Sequence, residues 1–197
     1  MVAVHPSVPA KTLRKFVDMA KQQPDKLCYA SAGSGSITHL ASELFLEMAK
    51  IKVTHVLYKG TGPALNDAIA GNVQLIFGSV VTTLQYVKSG RLRSLAVTTP
   101  KRIAAAPDVP TMAEAGVSGY QVILWHGLVG PKGMPRAIVE RVNREVNEAL
   151  EAKDMEQLFS TDGVSPAGGT PEQLQSHIKA DIERWRTVVQ RAGMRVK

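Results

Sequence analysis

The run Leu27-Cys28-Tyr29-Ala30, followed by Ser31-Ala32-Gly33-Ser34-Gly35-Ser36 and then by Ile37-Thr38-His39-Leu40, sets the fold. Four apolar residues suit a buried strand, and six small residues suit a tight loop. Leu40, Leu44, Phe45 and Met48 then recur at helical spacing as far as Lys50. The same order repeats downstream. Residues 53–58 are rich in β-branched side chains, Lys59-Gly60-Thr61-Gly62 is a second glycine loop, and Pro63 suits a first helical turn. A third round runs from the apolar residues 73–77 through Gly78-Ser79 into a helix over residues 81–88 that ends at Gly90. Residues 92–98 predict a further strand. Upstream, Leu13, Phe16, Val17 and Ala20 predict a helix over residues 11–22, closed by Pro24. Strands and helices alternating at this spacing predict an α/β lobe with a parallel sheet and right-handed crossovers.

From Pro100 onward the pattern changes. Residues 100–110 are irregular and hold three prolines. Thr111-Met112-Ala113-Glu114 has the form of a capping box, predicting a short helix ended by Gly116. Residues 120–129 predict a long strand through Trp125. Pro135 opens a helix with Ile138, Val139, Val142, Val146 and Leu150 on one face. A second box, Thr170-Pro171-Glu172-Gln173, opens a last helix carrying Leu174, Ile178, Ile182, Trp185 and Val189. Helices without their strands predict part of a second lobe whose sheet is incomplete.

Composition narrows the function classes. The 197 residues carry a net charge of +7, but the basic residues are scattered among acidic ones, so no nucleic-acid partner is expected. A basic balance also suits a small anionic ligand. One cysteine, Cys28, rules out an internal disulfide and sits in an apolar run, where an inert thiol is expected. The five histidines lack paired ligand spacing, so no metal and no cofactor is expected. No apolar run approaches the ~20 residues that cross a bilayer.

The two glycine loops follow strands and precede helices, which in a parallel sheet puts them together at the carboxyl edge. There glycine admits a ligand close to the backbone, and each helix N-terminus offers unpaired N–H groups and a positive dipole end. Ser36 is the expected N-cap, Ser31 and Ser34 add hydroxyls, and Gly78-Ser79 supplies a third wall. Ordinary turns rich in small residues would read the same way. Nucleotide fingerprints and the nucleophile elbow are absent. No acidic residue in the loop would orient His39 as a base, so no catalytic residue is expected.

At these residues a family resemblance emerges. Tyr29-Ala30-Ser31 with Gly33-Ser34-Gly35-Ser36 and His39-Leu40-Ala41, then His55-Val56-Leu57-Tyr58-Lys59-Gly60, resembles the Bug-type solute receptors of tripartite tricarboxylate transporters. The likeness continues through Gly90-Arg91-Leu92-Arg93, Pro107-Asp108-Val109-Pro110-Thr111 and Trp125-His126-Gly127-Leu128 to Glu183-Arg184-Trp185. It implies a two-lobed, periplasmic-binding-protein-like fold (Venus flytrap, type II) and a periplasmic location. It also implies capture of a small carboxylate ligand for membrane transporter subunits. Carried onto this chain, it points to Ser31, Gly33, Ser34, Gly35, Ser36 and His39, with Tyr58, Gly60 and Thr61 beside them. Where the family often has an acidic residue after the third strand, this chain has Gly78.

Met1-Val2-Ala3-Val4-His5-Pro6 has neither the basic segment nor the apolar core of a secretory leader, so the chain is expected to begin partway into the family's sequence. Residues 8–122 are expected to form lobe two, with 1–7 and 123–197 as the remaining parts of an incomplete lobe one. The apolar stripes of the last helices would then favour self-association. Two other classes remain open: the effector-sensing domain of a transcription regulator, which needs an attached DNA-binding segment, and an α/β enzyme using His39 as its base.

Overall fold

The computed structural model describes residues 1–194. Its centre is one five-stranded sheet. In chain order the strands are β1 (Val2–Val4), β2 (Cys28–Ser31), β3 (Thr54–Leu57), β4 (Leu75–Phe77) and β5 (Arg93–Ala96), and in space they run β3-β2-β4-β1-β5. Between them lie α1 (Leu13–Gln22), α2 (Ile37–Ala49), α3 (Thr61–Ala70) and α4 (Val80–Lys88). β2 pairs parallel with both β3 and β4, as the alternation predicts.

β1 departs from the expected all-parallel sheet. It lies antiparallel between β4 and β5, with Val2 opposite Phe77 and Ala96. Residues 1–7 were expected to go with the other lobe; β1 instead fills the fourth place of this sheet. Met1 extends the ladder, accepting from the Gly78 amide at 3.0 Å and donating its amino group to the Gly78 carbonyl at 2.9 Å. A three-residue apolar segment has too short a period to announce itself. Its burial is nevertheless complete.

Side-chain alternation builds the layers. Val2, Val4, Tyr29, Leu75 and Phe77 point to one face, where Leu13, Phe16 and Ala20 of α1 and Ala41, Phe45 and Leu46 of α2 cover them. Ala3, Ala30 and Ile76 point to the other, beneath Ala64, Leu65 and Ala68 of α3 and Tyr86 of α4. Met48, expected to be buried, is 36% exposed. Thr111 and Glu114 do exchange the two hydrogen bonds of a capping box, at 2.8 and 3.2 Å, but the box closes a turn rather than a helix.

Beyond Val122 the packing thins. The strand expected over residues 120–129 is absent from the described residues; that stretch has no strand beside it to form a ladder, and the Val122 amide bonds back to the Thr98 carbonyl. Three helices follow: α5 (Arg136–Leu150), α6 (Lys153–Asp162) and α7 (Pro171–Arg191). α7 starts on the expected box, with Thr170 and Gln173 capping each other. Asn143 and Asn147 clasp the Gly169 backbone and tie α5 to the start of α7. α7 reaches the main body through Trp185, Val188, an Arg191–Glu47 pair at 3.3 Å, and Arg184 donating to the Gln121 carbonyl. Trp125 donates to Asp181 at 2.7 Å. α5 buries no residue at all.

Candidate functional site

Because β2, β3 and β4 run parallel, the segments that follow them emerge side by side at one edge. They lead into α2, α3 and α4, capped by Ser36, Gly60 and Ser79. The first two segments are sewn together: the Tyr58 amide donates to the Ser31 carbonyl at 3.1 Å and the Gly60 amide to the Ala32 carbonyl at 2.9 Å. None of the three helices has an acidic residue in its first turn. No helix therefore sets a carboxylate of its own first turn against its positive dipole end. The amides of Ile37 and Thr38, of Thr61 and Gly62, and of Val80 and Val81 find no acceptor among the described residues, as the first turn of a helix requires when no side chain reaches it.

Inside the first loop, several hydrogen bonds fix the backbone. Ser36 Oγ accepts from the His39 amide at 3.3 Å and donates to the Gly33 carbonyl at 2.7 Å, so the expected cap is present. Thr38 Oγ1 accepts from the Ala32 amide at 2.9 Å. The Gly35 amide donates to His39 Nδ1 at 3.2 Å, with Gly35 at φ 73°, a left-handed conformation that a β-carbon would strain. Ser31, expected to offer a hydroxyl to a ligand, is instead buried, its Oγ 2.6 Å from His55 Nε2. Ser34 remains exposed at the tip. In the second loop the Tyr58 hydroxyl turns away to Asp67, 2.6 Å distant, while Gly60 and Thr61 stay at the edge. Burial and that carboxylate push the Tyr58 phenol up to about 12. The third wall is close-packed: a β-carbon on Gly78 would fall 2.0 Å from Thr83 Oγ1, a buried hydroxyl with no partner. A side chain at position 78 would require Thr83 to shift.

Beneath the first loop lies a cluster that the sequence reading did not assemble. Tyr29 is opposite His55 in the β2–β3 register, so both rings point toward α2. They stack at 4.7 Å, and His39 from α2 lies 4.1 Å from His55. Tyr29 donates to Glu43 Oε1, which is 3.9 Å from His39 Nε2. Burial lowers the His39 imidazole against the opposing pull of Glu43, and lowers His55 to about 4 with His39 adding to the effect. Desolvation and Glu43 raise the Tyr29 phenol. The motif holding His55 was legible, but its partners depend on strand register.

Elsewhere, a shallow hollow of about 380 Å³ between α2 and the end of α7 is lined by Asp25, Glu47, Lys52 and Arg191, whose charges are of both signs. Among the described residues no group of three or more His, Cys, Asp or Glu could hold a metal ion, and no helix is long and apolar enough to cross a membrane.

A mixed sheet clad by helices on both faces, with a row of helix N-termini at one edge, is the architecture of one lobe of a periplasmic-binding-protein-like receptor. Solved structures agree. A protein of Rhodopseudomonas palustris determined with adipate superposes with a TM-score of 0.94 at 35% identity, over 98% of this chain and 65% of that one. MatC of the same organism, with bound malate, superposes at 0.86 and 31% identity, over 96% and 65%. Residues 1–194 match the model for the "tripartite tricarboxylate transporter family receptor", and the chain belongs to that family. A Pseudomonas protein named for a tcbD–tcbE intergenic region is 39% identical over 180 residues, 91% of this chain and 54% of its own length. Protein BugT of Bordetella pertussis is 32% identical over 197 residues, all of this chain and 60% of that protein, which bears out the Bug-type resemblance. The chain thus spans between half and two-thirds of the length of these relatives, consistent with an incomplete second lobe.

Proposed function

We propose that this chain is the loop-bearing part of an extracytoplasmic receptor that holds a small carboxylate-bearing metabolite for a tripartite tricarboxylate-type transporter and performs no chemistry on it. The observation that carries the reading is the row of three helix N-termini at one sheet edge, none with an acidic residue in its first turn. A carboxylate placed there meets unpaired amides and three positive dipole ends. Ser34, Gly60 and Thr61 are at the open rim; Gly33, Gly35, Ser36 and His39 shape the first loop; Ser31 and Tyr58 act from behind it. Adipate and malate, bound by the two structural neighbours, set the ligand size to try first.

Residues 1–122 form the binding lobe in this reading, and residues 123–194 belong with the other. With only one wall of the cleft, affinity is weak: charge-assisted bonds contribute about 1.5–3 kcal/mol each, and association costs at least about 4 kcal/mol. The exposed apolar side chains Ile138, Val142 and Ile182 favour self-association of the chain, which light scattering over a concentration series reads directly. Periplasmic residence follows from the family.

A thermal-shift and calorimetric panel tests the reading with adipate, malate, citrate, neutral sugars and nucleotides. Organic acids should stabilise the protein at millimolar concentration. Stabilisation by sugars or nucleotides, with none from any acid, would overturn it.

A further inference from the structure

We infer that His55 is a positioning residue for the loop over residues 31–36: stacked on His39 and bonded to Ser31, it fixes the two side chains that accept the loop's Gly35 and Gly33 amides. Each link is on the page. His39 Nδ1 accepts the Gly35 amide at 3.2 Å, and the ring that offers it lies 4.1 Å from His55. Ser31 Oγ accepts the Gly33 amide at 3.3 Å and is 2.6 Å from His55 Nε2. The economical arrangement has the Ser31 hydroxyl donating to a bare Nε2, which leaves the oxygen's lone pairs for Gly33. Both imidazoles must then be neutral, His39 because its Nδ1 is an acceptor and His55 because its Nε2 is.

Acid undoes the first link and rearranges the second. A proton on His39 Nδ1 faces the Gly35 N–H, donor against donor, and turns that amide out. A proton on His55 Nε2 makes the ring a donor to Ser31 Oγ and turns the serine proton toward the Gly33 carbonyl, 3.4 Å away, so the oxygen must share its lone pairs between His55 and the Gly33 amide. Two imidazolium rings at 4.1 Å also repel. The titratable groups in contact with the pair are Tyr29 from β2 and Glu43 from α2; Glu43 favours charge on His39, while burial opposes it on both rings. The loop therefore loosens as pH falls. The inference rests on the receptor reading only for what the loosening would release.

Nuclear magnetic resonance on the 197-residue chain tests it without any ligand. Gly33 and Gly35 amide resonances should shift together with the His39 and His55 ring carbons, below the ordinary imidazole midpoint of about 6.5. His55→Gln should keep the Ser31 bond but lose the stack. It should speed exchange of the Gly35 amide about five- to tenfold and spare Gly33. His55→Phe should do the reverse, keeping the stack and freeing Gly33. Amides indifferent to the ring titration, or a uniform rise in exchange across the sheet in both variants, would overturn the inference. Adding adipate or malate to the same samples reads the ligand question separately. Absence of a ligand shift would count against the receptor reading and leave the loop result standing.

Discussion

Two amphipathic helices of this protein meet different ends. α2 carries Leu40, Ala41, Phe45 and Leu46 on a face that the sheet covers, and all four are buried. α5 carries Ile138, Val142, Val146 and Leu150 on one face as well and buries none, with Ile138 49% exposed. An apolar stripe states that a face is to be covered; it does not state by what. In residues 1–122 the cover is the chain's own sheet. In residues 123–194 polar clasps hold the helices in place while much of the apolar surface stays open: Asn147 on Gly169, Asp181 on Trp125, Glu47 on Arg191.

The largest effect expected from this contrast is in paired truncations. Phe45→Ala should cost about 3–5 kcal/mol in urea unfolding, because a fully buried ring leaves a cavity. Ile182→Ala, at a residue 52% exposed, should stay within about 0.5 kcal/mol. A loss at Ile182 comparable to that at Phe45, growing with protein concentration, would show the arm covered by a second copy and break the contrast. Next, Gly78→Ala should cost about 1–3 kcal/mol by forcing a β-carbon onto Thr83. Thr83→Ala removes the obstructing hydroxyl, so the double variant should recover most of that loss; additivity would refute the contact. Ser36→Ala should cost about 1 kcal/mol through the lost α2 cap. Pro135, at the start of α5, makes no side-chain cap bond, so Pro135→Ala should move the melting temperature less.

The smallest expected effect is a pH slope. His55 is lowered to about 4 in the folded protein, so the unfolded chain takes up the proton first. Stability is then full above about 6.5 and declines as pH falls toward about 4. His55 is partly exposed, so the decline is modest. His55→Gln should flatten it in melts at pH 7 and pH 5, and an unchanged slope would remove His55 from the account.

Much of the main body was legible because each signal there was local and repeated. The strand–glycine–helix order of residues 27–90 gave β2 to β4 and α2 to α4, and Ser36 announced its cap. What was not legible depended on partners distant in sequence. Val2–Val4 is too short to show a period, and its antiparallel direction follows from β4 and β5. Residues 120–129 have strand composition, yet a strand also needs a neighbour. Thr111 and Glu114 formed their box without the helix it advertises. The site followed the same rule. The loop's small residues were visible, whereas the commitment of Ser31 to His55 required the β2–β3 register.

β1 carries a consequence for the time course of folding. Its partners lie far along the chain, with Met1 bonded to a carbonyl 77 residues away. During synthesis β1 is made before β4 and β5 and cannot be seated until both have followed. Closing that loop has an entropic cost before any contact offsets it, and high contact order slows folding. Fully buried in the finished sheet, β1 must wait for two strands made well after it before it gains its place.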